Sequence, residues 1–364
     1  MPYGTIAADR ITGTNGNSIS PESSVFRNRI INGAMAIDQR NAGASVTANN
    51  ATFGVDRWAT ETSEASKLSM QQDAGAVTPP VGFTDYLGLT SSSAYTVTSG
   101  QTFNLYQRIE GLNIADLAWG TANAKTVTLS FWVRSSLTGT FGGAIQNNGN
   151  DRSYPFAFTI SAANTWEQKS VTIAGDTSGT WLTTNGIGIR VRFSLGAGSS
   201  ISGTAGAWSS SDFRSATGAT SVVGTNGATF YITGVQLEVG STATSFDYRP
   251  YGTELALCQR YLPAWSGSSG NQDFCSAFNQ TTTSTNFSLA HQVTTRVPPT
   301  GVVASGSLFF IGSNNAYAVS SLAFVGSSTQ VTRLSGTISG GVANAAGNGF
   351  GQGTWLVYLT GCEL

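Results

Sequence analysis

The chain has 364 residues, of which only 10% are charged, and 18 Lys and Arg against 19 Asp and Glu leave a formal net charge of −1. A single histidine, three cysteines and no basic run argue against a metal enzyme and against nucleic acid as a partner. No stretch is apolar enough to span a membrane and the start has no signal-peptide pattern, so we expect no membrane insertion and no secretion signal.

Residues 1–28 are polar and have no core of their own. They carry Tyr3, Ile6 and Ile11 among Gly, Thr and Asn. Because such a segment buries little apolar surface by itself, we expect it to become ordered against a partner, with these three residues making contact.

Alternation of apolar and polar residues with period two recurs through residues 29–250. It is clearest in Lys125–Arg134, Tyr154–Ile160 and Ile187–Leu195, and each stretch predicts a half-buried antiparallel strand. The alternation changes phase at Thr233-Gly234, which predicts a β-bulge. We therefore predict an all-β fold with an antiparallel β-sandwich, of the jelly-roll type, as its central domain.

Helix signals are few. Asn113–Trp119 predicts one short turn, and Thr253–Leu262 predicts a short helix with Thr253 as its N-cap. Between two strong strands, residues 196–228 form a long Gly/Ser-rich loop. We expect this loop to pack on a neighbouring subunit, with a ligand-site rim or disorder as alternatives.

Residues 263–364 predict a second, smaller β unit with strands at Phe287–Val293, Gly306–Ile311 and Trp355–Leu359. The predicted organisation is thus an N-terminal attachment arm (1–28), a jelly roll (29–250), a connector (251–262) and a C-terminal head (263–364). The three cysteines should be reduced, with a Cys258–Cys275 bridge as the alternative.

The most specific string is Asn28-Arg29-Ile30-Ile31-Asn32-Gly33-Ala34-Met35-Ala36-Ile37-Asp38-Gln39-Arg40, followed by Val55-Asp56-Arg57-Trp58. Together with Gly234-Val235-Gln236-Leu237-Glu238 and Phe246-Asp247-Tyr248-Arg249-Pro250-Tyr251, it resembles a β-sandwich domain of virion fibre proteins from tailed phages. The start, Met1-Pro2-Tyr3-Gly4, is similar to fibre N-termini of some cyanobacterial phages.

This resemblance implies a jelly roll like that of carbohydrate-binding modules, in a virion protein that is usually a homotrimer. It implies other virion proteins as partners, namely a tail adaptor or nozzle, or the capsid. It also implies assembly into the virion after synthesis in the host cytoplasm, and contact with a host surface polysaccharide.

Sugar binding needs flat apolar rings that stack on pyranose faces, beside polar groups that bond the hydroxyls. The candidates are tryptophans outside the predicted apolar faces, with their polar neighbours: Trp132, Trp208, Asp212, Arg214, Trp265 and Asp273.

Each tryptophan also has a structural alternative. Trp132 can be buried under another element, Trp208 can anchor its loop, and Trp265 can pack at the domain junction. His291 lies in phase with an apolar strand face, which is typical of a hydrogen-bonded core residue.

Carbohydrate-binding modules often hold a structural calcium ion near their first and last strands. By that resemblance Asn32, Asp38 and Glu238 are the candidate ligands, with backbone oxygens completing the shell. No other cofactor is expected.

No pair of carboxylates has a spacing that is diagnostic of glycoside cleavage. We therefore expect a non-enzymatic virion protein, a tail fibre or spike that attaches by its N-terminus and contacts host glycan. The alternatives are a decoration or cement protein of the capsid and, third, a polysaccharide depolymerase spike.

Overall fold

The computed structural model describes residues 11–12, 18–19 and 26–364, and this part of the chain is almost entirely β-structure. Near the N-terminus, β1 (Ile11–Thr12) pairs antiparallel with β2 (Ser18–Ile19). The described residues contain one α-helix, α1 (Tyr251–Gln259). The predicted all-β class is confirmed.

Strands β3 to β16 follow in the chain between residues 46 and 239. They are β3 (Val46–Ala48), β4 (Thr52–Val55), β5 (Trp58–Thr62), β6 (Leu68–Gln72), β7 (Leu87–Ser91), β8 (Thr102–Glu110), β9 (Val127–Ser135), β10 (Gly139–Gln146), β11 (Ser153–Ile160), β12 (Glu167–Ile173), β13 (Ile187–Ala197), β14 (Ser202–Gly203), β15 (Ser215–Ala216) and β16 (Thr229–Val239). Twelve of them form two antiparallel sheets. The first sheet has the order β11-β10-β13-β8-β5-β4, and the second has the order β12-β9-β16-β7-β6-β3.

The two sheets pack face to face around one core. Phe131 of the second sheet makes edge-to-face contacts with Phe158 and Phe193 of the first, each with ring centroids 4.9 Å apart. The predicted apolar face of β9 is fully buried in this core, and so is that of β13 except for Ile187 at the start of the strand, which is partly exposed. The sandwich is therefore confirmed, and period-two burial of apolar side chains accounts for it.

The predicted bulge is confirmed. The register of β16 against β9 shifts between Thr233 and Gln236. Gly234 sits in the shift with φ of 61°, a conformation that glycine adopts without a steric penalty.

The helical segments differ from prediction in their limits. Two 3₁₀ turns, Gly111–Asn113 and Ala115–Leu117, replace the single predicted turn, and two more lie at Ala74–Ala76 and Ser199–Ile201. The prediction of Thr253 as N-cap is wrong, because α1 begins two residues earlier. The Pro250 carbonyl accepts hydrogen bonds from the Thr253 amide at 2.9 Å and from the Glu254 amide at 3.1 Å.

A third antiparallel sheet contains the strands after α1. They are β17 (Ala264–Gly267), β18 (Asn271–Asn279), β19 (Ser284–Ala290), β20 (Gly301–Gly312), β21 (Asn315–Ala318), β22 (Ser321–Ser327), β23 (Val331–Thr337) and β24 (Ala346–Thr360). Its order is β21-β20-β24-β18-β19-β23-β22, with β17 also paired to β24. The sheet is curled, so that the Val319 amide beside β22 donates to the Leu308 carbonyl of β20 at 2.8 Å.

The loop between β13 and β16 packs on the first sheet of its own chain. Its expected contact with a neighbouring subunit stays a prediction. Its strands β14 and β15 pair in parallel, and β15 contacts β10, β11 and β13 of the first sheet. The contact is close: a Cβ added to Gly142 of β10 would lie 2.6 Å from the Ser215 hydroxyl.

All three cysteines are free thiols, so the alternative Cys258–Cys275 bridge is not formed. No helix in the described residues has the length and apolar character needed to cross a membrane.

Candidate functional site

A cleft opens where the chain enters and leaves the sandwich. Three segments form it: residues 28–37, the turn at residues 82–84, and residues 246–254, which lead into α1. It encloses about 250 Å³, and its lining includes Phe83, Thr84, Asp247, Tyr248, Tyr251 and Glu254. We call it the aromatic cleft.

Three aromatic rings pack together on one wall of the cleft. The ring centroids of Phe83 and Phe246 are 5.1 Å apart, and Tyr248 lies 5.6 Å from Phe83 and 4.8 Å from Phe246. Tyr248 is nevertheless 57% exposed, and Tyr251 at the start of α1 is 65% exposed. Exposed aromatic side chains held in fixed positions provide stacking surfaces at little entropic cost.

The Tyr248 hydroxyl is oriented by the turn at residues 82–84. It donates a 2.7 Å hydrogen bond to the Gly82 carbonyl. Partial burial raises the pKa of Tyr248 above its usual value, so the phenol stays protonated and keeps donating. The bond therefore fixes one of the exposed rings.

An ion pair stabilises the floor of the cleft. Arg249 donates to Glu254 at 3.1 Å and to the Ile30 carbonyl at 3.1 Å. Glu254 also accepts a short hydrogen bond from the Asn32 amide. The Nε of Arg249 is buried and has no partner among the described residues. With Asp247, the lining carries two carboxylates and one guanidinium, a net charge of −1.

Trp132 is the sequence candidate that adjoins this cleft. It lies half-buried on the outer face of β9, beside the bulge. A Cβ on Gly234 would lie 2.6 Å from the Phe83 ring and 3.1 Å from the Trp132 ring. The missing side chain of Gly234 thus lets these two rings lie side by side.

Trp208 anchors its loop. Its ring makes edge-to-face contacts with Trp119 at 5.4 Å, Trp181 at 5.5 Å and Tyr154 at 5.2 Å. Its Nε1 donates to the Ala174 carbonyl at 2.8 Å. These contacts support the structural alternative for this residue.

Asp212 and Arg214 close the same loop over the first sheet. Arg214 forms a bidentate pair with Asp212, from Nε to Oδ1 at 3.2 Å and from Nη2 to Oδ2 at 2.7 Å, and its Nη1 donates to Glu61 at 2.8 Å. Gln146 donates to Asp212 at 2.6 Å. Asp212 is half-buried, which alone would raise its pKa, but the bonds from Arg214 and Gln146 lower it overall.

Trp265 and Asp273 lie on different strands of the third sheet. Trp265 on β17 pairs with Val357 of β24, and its ring centroid lies 6.4 Å from that of His291. Asp273 on β18 is exposed and accepts a 3.1 Å hydrogen bond from Asn348. Neither residue belongs to the aromatic cleft.

His291 is hydrogen-bonded, as its pattern predicts, but it lies just after β19 and is half-buried rather than in the core. Its ring nitrogens lie 3.1 Å from the Thr329 carbonyl and 2.9 Å from the Thr332 hydroxyl. Burial lowers its pKa below the usual value. The imidazole is thus a neutral structural group near neutral pH.

The proposed calcium ligands each belong to a separate hydrogen-bond network. Asn32 bonds the backbone of Ile37 and Asp56, and Asp38 accepts from the amides that follow it in its own turn. Glu238 accepts from Gln236 and Thr244. In the described residues no group of three or more His, Cys, Asp or Glu is placed to hold a metal. Calcium ligation by Asn32, Asp38 and Glu238 stays a prediction.

Two of the proposed attachment residues, Tyr3 and Ile6, lie outside the described residues. For Ile11 only the backbone in β1 is described. Their contact role stays a prediction.

Phe83, Tyr248 and Tyr251 are site residues that the sequence pattern did not single out. The string Tyr248-Arg249-Pro250-Tyr251 could have indicated the site, because aromatic residues next to turn-forming residues and outside any strand are rarely buried in the core.

No protein-family model matches the chain, and no curated protein is significantly similar to it. Among solved structures, it is similar to the enzymatically active domain of tailspike protein 4 of bacteriophage CBA120, with 13% identity and a TM-score of 0.32, over 60% of this chain and 22% of that one. It is similar to a family 4 carbohydrate-binding module, with 15% identity and a TM-score of 0.28, over 57% of this chain and 98% of the module.

It is also similar to the family 11 carbohydrate-binding module of Clostridium thermocellum in complex with a β-1,3-1,4-mixed-linked tetrasaccharide. Here the identity is 11% and the TM-score 0.28, over 55% of this chain and 98% of the module. The chain thus spans about a fifth of the tailspike domain and nearly all of each module. These similarities concern the backbone and say nothing about what this chain binds.

Proposed function

We propose that this protein is a non-enzymatic, glycan-binding structural protein of a phage virion. The observation that carries the glycan-binding part is the aromatic cleft. There, exposed rings stand over a polar floor.

The chemistry of the cleft suits a sugar. The exposed faces of Tyr248 and Tyr251 can stack on a pyranose ring, while Asp247 and Glu254 accept from its hydroxyls. A volume of about 250 Å³ is below the usual range for larger ligands, about 300–1,000 Å³, and suits one or two sugar units. Since the lining has a net charge of −1, we infer a neutral sugar at this site.

The virion part of the proposal follows from the motif resemblance. Residues 1–28 would attach the protein to a tail adaptor or nozzle, and three copies would present three weak sites with combined avidity. Light scattering tests the trimer. A cryo-EM map of the intact particle tests whether residues 1–28 contact the tail, as for a fibre or spike, or the capsid, as for the alternative decoration protein.

The experiment for glycan binding is a screen of neutral and acidic oligosaccharides on an array, followed by calorimetry with the strongest neutral hit. Tyr251→Ala should weaken binding about tenfold, because an aromatic stacking contact contributes about 0.5–1.5 kcal/mol beyond area burial. Phe278→Ala is the matched control, since Phe278 is a 42% exposed ring on the third sheet. Equal affinity in both variants, or no neutral hit, would contradict the assignment.

A second candidate function rests on one observation, that two carboxylates line the cleft. Asp247 and Glu254 would be the acid and base of a depolymerase spike. Each carboxylate already has a partner within this chain. Asp247 accepts a hydrogen bond from the Asn28 amide at 3.2 Å, and Glu254 forms an ion pair with Arg249. This commitment favours binding without cleavage. Reducing ends released from the bound polysaccharide, and lost in Glu254→Gln, would instead establish the depolymerase.

A further inference from the structure

The face of the first sheet that points away from the core carries a cluster of arginines. Arg190 of β13 lies directly opposite Arg108 of β8, and Arg192 lies opposite Tyr106. The guanidinium carbons of Arg108 and Arg192 lie 4.8 and 5.6 Å from the centre of the Tyr106 ring. We call these four residues the arginine face.

Like charges placed opposite each other on neighbouring strands destabilise a sheet. Burial, together with the charges of Arg192 and Arg108, lowers the pKa of Arg190 to about 10. The carboxylates in contact with this region are fewer than its guanidinium groups: Glu61 and Asp212 against Arg108, Arg190, Arg192 and Arg214. The region therefore holds an excess of positive charge.

The neighbouring acidic residue does not cancel this excess. Glu363 pairs with Arg40 at 2.8 Å and forms a short contact with Arg57. Arg108 itself donates a short hydrogen bond to a main-chain oxygen of Leu364. Glu363 is thus already matched by two arginines of its own.

Several donors of the arginine face have no protein partner. The Nε atoms of Arg108, Arg190 and Arg192 are buried without a hydrogen bond to the described residues. Arg192, of which 5% of the side chain is exposed, uses Nη1 for its ion pair with Glu61. Unpaired donors of buried arginines are costly unless an anion or water satisfies them.

A turn rich in amides borders the face. Arg190 donates to the carbonyls of Asn147 and Asn148 at 3.2 and 3.1 Å, which holds the turn between β10 and β11 beside the cluster. Asn148 is exposed. Its Oδ1 accepts a 3.3 Å hydrogen bond from Arg190 Nη2, which leaves its Nδ2 available as a donor to a ligand. Cationic donors next to amides form a site for a carboxylate and its neighbouring hydroxyls.

We propose that the arginine face binds the carboxylate group of an acidic glycan, with Arg108 and Arg190 on the carboxylate and Asn148 on an adjacent hydroxyl. This site lies on the first sheet and does not depend on the aromatic cleft. The protein would then recognise a polysaccharide with both neutral and uronic acid units.

The test uses calorimetry on the full chain with three probes: trigalacturonate, galactotriose and inorganic sulfate. We expect trigalacturonate to bind more tightly than galactotriose in wild type, and its affinity to fall at high salt. Arg108→Gln should weaken trigalacturonate binding about tenfold, because a charge-assisted hydrogen bond is lost. Arg134→Gln is the matched control, a half-buried arginine on the second sheet that bonds the Asn164 carbonyl at 3.0 Å.

Asn148→Ala covers the case in which Arg108→Gln fails to fold, because it changes an exposed turn residue and removes only the 3.3 Å bond from Arg190 to its side chain. It should lower trigalacturonate affinity several-fold and leave the melting temperature unchanged. Three results would overturn the proposal. The first is equal affinity for trigalacturonate and galactotriose. The second is sulfate binding as tight as trigalacturonate binding, which would indicate a site for free anions. The third is equal trigalacturonate affinity in the Arg108 and Arg134 variants. Tyr251→Ala should leave trigalacturonate binding intact, which separates this test from that of the cleft.

Discussion

Replacing Asp56 by asparagine should remove a large pH dependence of stability. Asp56 follows β4 and is 1% exposed. Its carboxylate accepts bonds from the Gln39 amide at 3.0 Å and from the Gln39 side chain at 2.6 Å. Burial is the main influence on this carboxyl and outweighs the opposing charge of Arg40, so the pKa of Asp56 rises from 3.8 to about 7.

The direction and the magnitude of the change in stability with pH follow from proton linkage. The folded state holds the Asp56 proton more tightly than the unfolded chain, so this group's contribution is fully present below about pH 4 and is lost as pH rises to 7. A difference of about 3 pKa units corresponds to a loss of about 4 kcal/mol. An asparagine side chain at this position cannot ionise, and it gives up about one hydrogen bond, about 1 kcal/mol. We therefore expect D56N to be about 3 kcal/mol more stable than wild type at pH 8.

The assay is urea denaturation at pH 5 and pH 8, followed by tryptophan fluorescence, because six of the eight tryptophans precede residue 250. Asp116→Asn is the control, since Asp116 is 47% exposed and pairs with Arg29 at the surface. The same change in stability between the two pH values in wild type and D56N would refute the reasoning. So would a D56N variant less stable than wild type at pH 8.

Three further changes test other contacts. Glu110→Gln should lower the free energy of unfolding by about 3–5 kcal/mol, because it leaves Arg260 without its buried partner. In wild type the pKa of Glu110 is lowered, so the stability that this carboxylate contributes is lost as pH falls below about 4.5. Thermal melting at pH 7 and pH 3 would show this loss. Gly234→Ala should lower the melting temperature and weaken glycan binding, because its Cβ would lie 2.6 Å from the Phe83 ring; unchanged binding would contradict the assigned position of Phe83. Trp208→Ala should cost about 3–5 kcal/mol without changing neutral-sugar affinity, and a loss of affinity in a folded variant would restore Trp208 as a binding residue.

Some features of the sandwich beside the cleft could be predicted from the sequence, and others could not. The bulge at Gly234 was visible because a phase change at glycine is a local signal. The outward position of Trp132 was visible from the period-two alternation of Lys125–Arg134, which puts it opposite the apolar face of that strand. The packing of residues 196–228 on their own sheet was not visible, because a Gly/Ser-rich segment has no periodic pattern to show which surface covers it.

The faces of the strands can be read from the amino-acid order alone, since alternate residues of a strand point to opposite sides whatever the rest of the chain does. The place of the aromatic cleft depends on the folded chain. Tyr248 bonds Gly82, 166 positions earlier in the chain, and no local pattern records such a meeting. The excess charge of the arginine face likewise arises from strand register, because Arg190 and Arg108 become neighbours only when β13 pairs with β8. Local periodicity thus determines which side chains point outward, and long-range pairing determines which of them form a site.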